Sequence, residues 1–296
     1  MVKRRLFFGT LMTVFFAVVM ILDGWLDGSL TTSTADDKAV QGTILCILII
    51  SLMIPAQLEL SKLAQIKELK IFLPVSIIGS ILVATSWYWA QLIADCRLPI
   101  VDCSSPFVLP FFLAAILLLV ILLYQYVYYG ISSVLANCGA NCFSICYLGV
   151  LASFVLGIRI DFGLWRTLMF IFVVKFADIG AYAVGTLFGR HKFSPKISPS
   201  KTWEGMGGAI AAAVIVAIVF GVSCDIMTLW LTVIFGVCFA FIGQMGDLVE
   251  SMLKRDSTQK DSADRVPGFG GILDIIDSPL AAAPFAYLFF VISSLL

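Results

Sequence analysis

Asp274 and Asp277 stand three residues apart in "GFGGILDIIDSPL", where a polar loop turns into the last long apolar run of the chain. Carboxylates in such a place are costly unless paired or bound to a cation, so their presence asks for a function. A second set lies in "GQMGDLVESMLKRDSTQKD", where Asp247, Glu250 and Lys254 fall on one helical face and Arg255 follows at once. A third segment, "VVKFADIGAYAVGTLFGRHKFSPKISPSKTWEG", places Lys175 and Asp178 three residues apart in an apolar helix. An internal ion pair that only neutralises itself is the alternative for those two. The end of the same segment offers Thr202 as an N-cap, Glu204 in a first helical turn and Lys201 beside them. A helix N-terminus next to a lysine suits a phosphate.

Together these segments supply carboxylates for a hard cation, in Asp247, Asp274 and Asp277 with Asp178 and Glu250 beside them. They also supply cations for phosphates, in Lys201, Lys254, Arg255 and Lys260. Mg²⁺ takes oxygen ligands, keeps several waters and is commonly held by one or two carboxylates plus substrate phosphates. The combination points to phosphoryl or nucleotidyl transfer to a lipid. No G-x-x-x-x-G-K-[ST] loop occurs, which disfavours a P-loop ATPase. The single histidine, His191, excludes sites that need several, and no nucleophile–base pair for covalent catalysis stands out. A transporter would be expected to carry inverted repeats and midplane charges, whereas here the halves differ and the charges gather at one face.

The elements that position these groups are membrane helices. Of 296 residues, 60% are hydrophobic and 13% charged, with the apolar bias spread along the chain. A spanning helix needs ~20 mostly apolar residues, because backbone groups cannot be left unpaired in hydrocarbon. The expectation is an all-α integral membrane protein of about nine spans, near 6–26, 41–60, 72–92, 107–129, 139–158, 164–188, 204–223, 228–253 and 276–295. The first run, after Lys3, Arg4 and Arg5, is read as a retained helix because no small-residue cleavage site follows. Lys and Arg concentrate at alternate ends of the spans; Lys38, Arg97, Arg159 and Arg166 are the exceptions on the other side. That asymmetry puts the N-terminus in the cytoplasm and, with nine crossings, the C-terminus outside.

The chain divides by character at about residue 160. Residues 1–160 are plain apolar helices, about five, and residues 161–296 carry all three polar segments with their motif loops. Glu59, at the inner end of the second span, is expected to be interfacial and solvated. Cys138, Cys142 and Cys146 repeat every four residues, which suits packing better than metal binding. Cys96 and Cys103 could pair in an outer loop if the compartment is oxidising. Ser278 and Pro279 read as an N-cap and first helical residue, although an earlier start with a kink at Pro279 is equally compatible. Ala177, Ala181, Gly185 and Gly189 form a stripe of small residues for close helix packing.

The run 251–278 resembles the signature of the phosphatidate cytidylyltransferase (CDP-diacylglycerol synthase) family. Ser251, Lys254, Arg255, Lys260, Asp261, Ala263, Pro267, Gly270, Gly271, Asp274 and Asp277 fall in register with it. The helix with Asp178, Ala181, Tyr182 and Gly185, the turn Ser198 to Gly205 and the run Gly246 to Ser251 match further landmarks of that family. Phe269 and Ile275 depart, standing where the family usually has His and Arg.

The resemblance implies transfer of CMP from CTP to phosphatidate, giving CDP-diacylglycerol and pyrophosphate for phospholipid synthesis. It implies Asp247, Asp274 and Asp277 as ligands of Mg²⁺, with a second cation open. Lys201, Lys254, Arg255 and Lys260 would hold phosphates, Ser198 and Thr202 would contact substrate, and Asp178, Glu204 and Glu250 would orient the lysines or assist the metal. Asp261 and Asp264 are equally compatible with solvated loop acids. The partners implied are CTP and a phosphatidate-type lipid, without nucleic acid; a homodimer stays open. The place implied is the inner, cytoplasmic membrane, with the site on its cytoplasmic face. Alternatives are a cytidylyltransferase or CTP-dependent kinase acting on an isoprenoid lipid, and a non-catalytic family member.

Overall fold

The computed structural model describes residues 2–30, 38–95, 108–259, 262–263 and 270–296, with only the backbone for 2–10, 95 and 108. The helices are α1 (Val2–Asp27), α2 (Thr43–Ile66), α3 (Leu73–Ala84), α4 (Ser86–Asp95), α5 (Val108–Tyr129), α6 (Val134–Ile145), α7 (Leu151–Phe162), α8 (Leu164–Phe188), α9 (Trp203–Ser223), α10 (Leu229–Asp256) and α11 (Leu273–Ser293). A π-helical turn, Cys146–Val150, joins α6 to α7 without a break. Among the described residues, seven helical runs are long and apolar enough to cross a membrane: α2, α5, the α6–α7 run and α8 to α11. The pair α3–α4 would make an eighth, bent by 55° where the sequence suggests one straight span over 72–92. Thr85 sits at that bend. Its hydroxyl donates to the Ile81 carbonyl at 2.7 Å and accepts the Trp89 indole N–H at 2.9 Å, local bonds that compete with a straight helical ladder.

The all-α expectation needs one amendment. Between α8 and α9 the chain forms a short antiparallel hairpin, β1 (Lys192–Ser194) and β2 (Ser198–Thr202), with Lys192 opposite Thr202 and Ser194 opposite Ser198. This stretch is too polar and proline-rich to continue either helix, and pairing two short strands satisfies its backbone.

The chain folds as two compact units, residues 1–160 with 262–273, and residues 161–261 with 274–296. In the first unit a cluster of Phe72, Val83, Leu117, Ile121, Cys138 and Ile145 forms part of the core. Of the three spaced cysteines, Cys138 is buried there, Cys142 is half-buried and Cys146 is exposed, and all three are free thiols. Asn141, fully buried, accepts from the Phe72 N–H at 2.7 Å and from Ser76 Oγ at 2.8 Å, so a polar residue in an apolar helix is matched by specific partners. Cys96 and Cys103 lie outside the described residues.

Two charged residues of this unit differ from their expected settings. Arg159 is fully buried: its Nε lies 2.9 Å from Asp23 and its Nη2 2.6 Å from Asp27, and Nη2 also donates to Ser29 Oγ at 2.8 Å. Asp23 in turn accepts the Ile44 N–H at 2.7 Å, in the first turn of α2, and Asp27 accepts the Gly42 N–H at 3.1 Å. A cation consumed in this way does not report membrane orientation. Glu59, expected to be solvated, is also fully buried. It accepts the Ile272 N–H at 3.1 Å, the Leu273 N–H at 2.9 Å and the Ser262 hydroxyl at 3.1 Å. Backbone donors at the start of α11 take the place of water around the carboxylate.

In the second unit, small residues let helices approach closely. A Cβ on Gly208 would lie 2.6 Å from the Gly180 carbonyl oxygen and 2.5 Å from Val184 Cγ2, so α8 and α9 touch through backbone. Of the expected stripe, Ala181 and Gly185 lie against Gly205 of α9. A Cβ on Gly243 would come within 3.2 Å of Val174, and one on Gly246 within 2.7 Å of the Ala281 methyl. These two glycines bring α10 against α8 and α11.

Candidate active site

The site grows out of α10, whose 28 residues run unbroken through Asp247, Glu250 and Lys254. With 3.6 residues per turn, these positions share a face, and α11 presents Asp274 and Asp277 from its first two turns. Helix α11 begins at Leu273, with Pro279 inside it, so the earlier of the two sequence readings of this start applies. Pro279 has no N–H to offer the carbonyl one turn before it, that of Ile275. Lys175 Nζ, from α8, donates to that carbonyl at 2.6 Å. Ile275 thus enters the site through its backbone, where a proline has left an acceptor open.

One carboxylate oxygen from each of Asp247, Glu250 and Asp277 lies within 4.8 Å of the others. Glu250 is completely buried, Asp277 nearly so, and Asp247 is partly exposed. Asp277 Oδ1 accepts the Ser278 N–H at 2.6 Å and its hydroxyl at 3.2 Å. Lys254 Nζ lies 2.5 Å from one oxygen of the Glu250 carboxylate. Asp274 is not part of the triad: Lys254 donates to it at 2.5 Å and so lies between the two acids. On the other side Lys201 Nζ lies 2.6 Å from Asp247 and donates to the Gln244 carbonyl at 2.8 Å. The Gln244 amide donates to Asp178 at 2.9 Å, and Lys175 stands 3.9 Å from that same acid.

The sequence-derived residues therefore divide. Asp178, Lys201, Asp247, Glu250, Lys254, Asp274 and Asp277 belong to one connected polar network, and Lys175 joins it. Glu204 lies elsewhere, accepting the backbone N–H groups of Arg190 and His191 at 3.1 and 3.2 Å and meeting His191 Nδ1 at 2.6 Å. These residues, with Leu187, Phe188 and Gly189, line an open cavity of about 460 Å³. Thr202 caps α9 by accepting the Gly205 N–H at 3.1 Å, and Ser198 Oγ is 3.4 Å from Ser200 Oγ in the hairpin. Arg255 is exposed and donates to the carbonyls of Ile197 and Gln259. Lys260 and Phe269, with Asp261, Asp264 and Arg265, lie outside the described residues.

Gln244 is the residue that motif reading passes over. A glutamine in an apolar helix three residues before an aspartate was the available signal, since its amide must find partners when buried.

The three clustered acids fit a hard divalent cation. Oxygen-only donors are the set that Mg²⁺ prefers, and the fully buried Glu250 carboxylate beside Asp247 and Asp277 supplies such oxygens. With every group ionised, Asp178, Asp247, Glu250, Asp274 and Asp277 outnumber Lys175, Lys201 and Lys254 by two charges, which one divalent ion would cancel.

The chain is 42% identical over 142 residues to the phosphatidate cytidylyltransferase of Staphylococcus saprophyticus, a match covering 48% of this chain and 54% of that one. It is 41% identical over 134 residues to that of Haemophilus influenzae, covering 43% and 46%. With that of Mycobacterium tuberculosis it shares 40% over 124 residues, covering 42% and 38%. The matched segment thus spans about half the length, or less, of these relatives. The profile of the cytidylyltransferase family matches residues 38–293, and with so much of the chain in register it belongs to that family.

Proposed function

We propose that the chain transfers CMP from CTP to phosphatidate, releasing pyrophosphate and leaving CDP-diacylglycerol in the membrane. The observation that carries this reading is the acid triad Asp247, Glu250 and Asp277 flanked by Lys201 and Lys254. The names of the relatives at about 40% identity support the choice of CTP and phosphatidate.

A phosphatidate oxygen forms a bond to the α-phosphorus of CTP while the bond from that phosphorus to the departing pyrophosphate breaks in line. The lipid phosphate is already ionised near neutral pH, so no strong base has to remove a proton. The residues have to place two anions against each other and cancel their repulsion. Asp247, Glu250 and Asp277 would hold Mg²⁺, which when bound supplies positive charge to the triphosphate. Lys201, held by Asp247 and the Gln244 carbonyl, points an ammonium at the same place. Lys254 does so from the other side, fixed by Glu250 and Asp274. Arg255 and Lys260 would extend the phosphate contacts beyond α10.

The setting that goes with this reading is the inner membrane of a bacterial cell, crossed nine times, with the N-terminus and the site on the cytoplasmic face. The Lys and Arg distribution supports that orientation. Purified protein in lipid, given Mg²⁺, labelled CTP and phosphatidate, is expected to form a labelled CDP-lipid. Asp277→Asn should lower the rate by about 10³-fold or more. Turnover within tenfold of the parent in that variant would remove the metal assignment. Labelled product formed with an isoprenoid phosphate and not with phosphatidate would remove the substrate.

A further inference from the structure

We infer that Glu59 is a positioning residue of the active site, acting through the backbone at the start of α11. This rests on the reading of Asp277 as a metal ligand given above. Glu59 lies on α2, more than two hundred residues away in sequence, and outside every motif that named the site. It is fully buried, and its carboxylate accepts the N–H groups of Ile272 and Leu273 and the hydroxyl of Ser262. Leu273 is the first residue of α11 and Asp274 the next, so the carboxylate fixes where the helix that carries both aspartates begins.

The arrangement also assigns different work to the two glycines of "GFGGILD". Gly270 has φ +93°, a left-handed conformation that a side chain resists. Gly271 is required for another reason: a Cβ there would lie 2.7 Å from Glu59 Cδ and collide with the Glu59 carboxylate oxygen and the Ser262 hydroxyl. One glycine turns the chain, and the other leaves room for the acid. An anion at a helix N-terminus is favoured by the unpaired N–H groups and the macrodipole. Charge-assisted bonds of this kind are the strong ones, and they set position as well as stability. A carboxylate ligand on a helix whose first turn is not held would sample positions away from its metal.

The test is Glu59→Gln, which keeps size and loses the charge and one acceptor. Mn²⁺, a paramagnetic substitute for Mg²⁺, is titrated into purified protein and the free ion is read by electron paramagnetic resonance, with no turnover involved. The expected result is a Kd for Mn²⁺ raised about tenfold, and a matching rise in the cation concentration that half-saturates CDP-lipid formation. A residue that only stabilised the fold would lower the amount of active protein and leave the Kd of the folded fraction unchanged. Ser262→Ala, which removes one donor and keeps the acid, is expected to raise the Kd two- to threefold, and it serves if Glu59→Gln is not recovered folded. An unshifted Kd in the folded variant overturns the inference. Parent protein that binds Mn²⁺ but makes no CDP-lipid would overturn the proposed reaction and leave the positioning role standing.

Discussion

Lys254 is the residue on which most of the site's electrostatics converge. It is buried between Glu250 and Asp274, 2.5 Å from each. Lys254→Met should therefore do two separable things. Removing one member of a buried ion cluster leaves uncompensated charge and costs about 3 kcal/mol or more, seen as a lower thermal midpoint in detergent. On the proposed reaction it also removes a phosphate contact, and kcat/KM should then fall about 10²-fold beyond the loss of folded protein. A variant with the parent's midpoint would mean that the two acids do not need their lysine. Arg159→Met offers the contrast, because it strands Asp23 and Asp27 outside the acid network. Its thermal midpoint should drop for the same reason, while the Mn²⁺ affinity of the folded fraction stays at the parent's value. Glu59 shows why sequence spacing misleads at this scale. An acid near the end of an apolar run reads as solvated, and distant donors, the N–H groups of Ile272 and Leu273 and the Ser262 hydroxyl, make its burial tolerable.

At the scale of elements, the site depends on helices that approach more closely than side chains would allow. Gly246 lies against Ala281, and any β-carbon there would push α10 from α11. Gly246→Val is expected to cost about 1–3 kcal/mol of stability and to weaken Mn²⁺ binding by separating Asp247 from Asp277. Unaltered binding in that variant would show that the two helices can part without disturbing the triad. Pro279 makes a sharper case. Replacing it with alanine restores the N–H that the Ile275 carbonyl lacks, which should raise the thermal midpoint. The same N–H competes with Lys175 for that carbonyl, so turnover should fall about tenfold even as stability rises. A stabilised variant with full activity would show that Lys175 does not need this anchor. The motif residues Ser198, Thr202 and Glu204 also act at this scale, as a hairpin-strand residue, the cap of α9 and a clasp on the hairpin base.

At the scale of the whole chain, composition and charge distribution carry the argument. Cations cluster at alternate ends of the apolar runs, which supports the proposed cytoplasmic N-terminus. With nine crossings, a reporter active only in the cytoplasm should work when fused to the N-terminus and fail at the C-terminus, and one that needs the periplasm should do the reverse. Activity of the cytoplasmic reporter at both ends would require an even number of spans. The bend at Thr85 and the unbroken passage from α6 through the π-turn into α7 are the places where the count could change.

Sequence alone determined the helical membrane character, because a long apolar run in hydrocarbon must pair its own backbone and only a helix does so locally. It also pointed to the chemistry proposed for the site, since acids for a hard cation and lysines for phosphates recur at helical spacing in its second half. Tertiary structure decided who partners whom. Asp274 and Glu250 are equally placed by spacing and both meet Lys254, yet only Glu250 also lies within 4.8 Å of Asp247 and Asp277. Gln244, the Ile275 carbonyl and Glu59 became legible only there. Their partners lie 66, 100 and more than two hundred positions away, at separations no periodicity encodes.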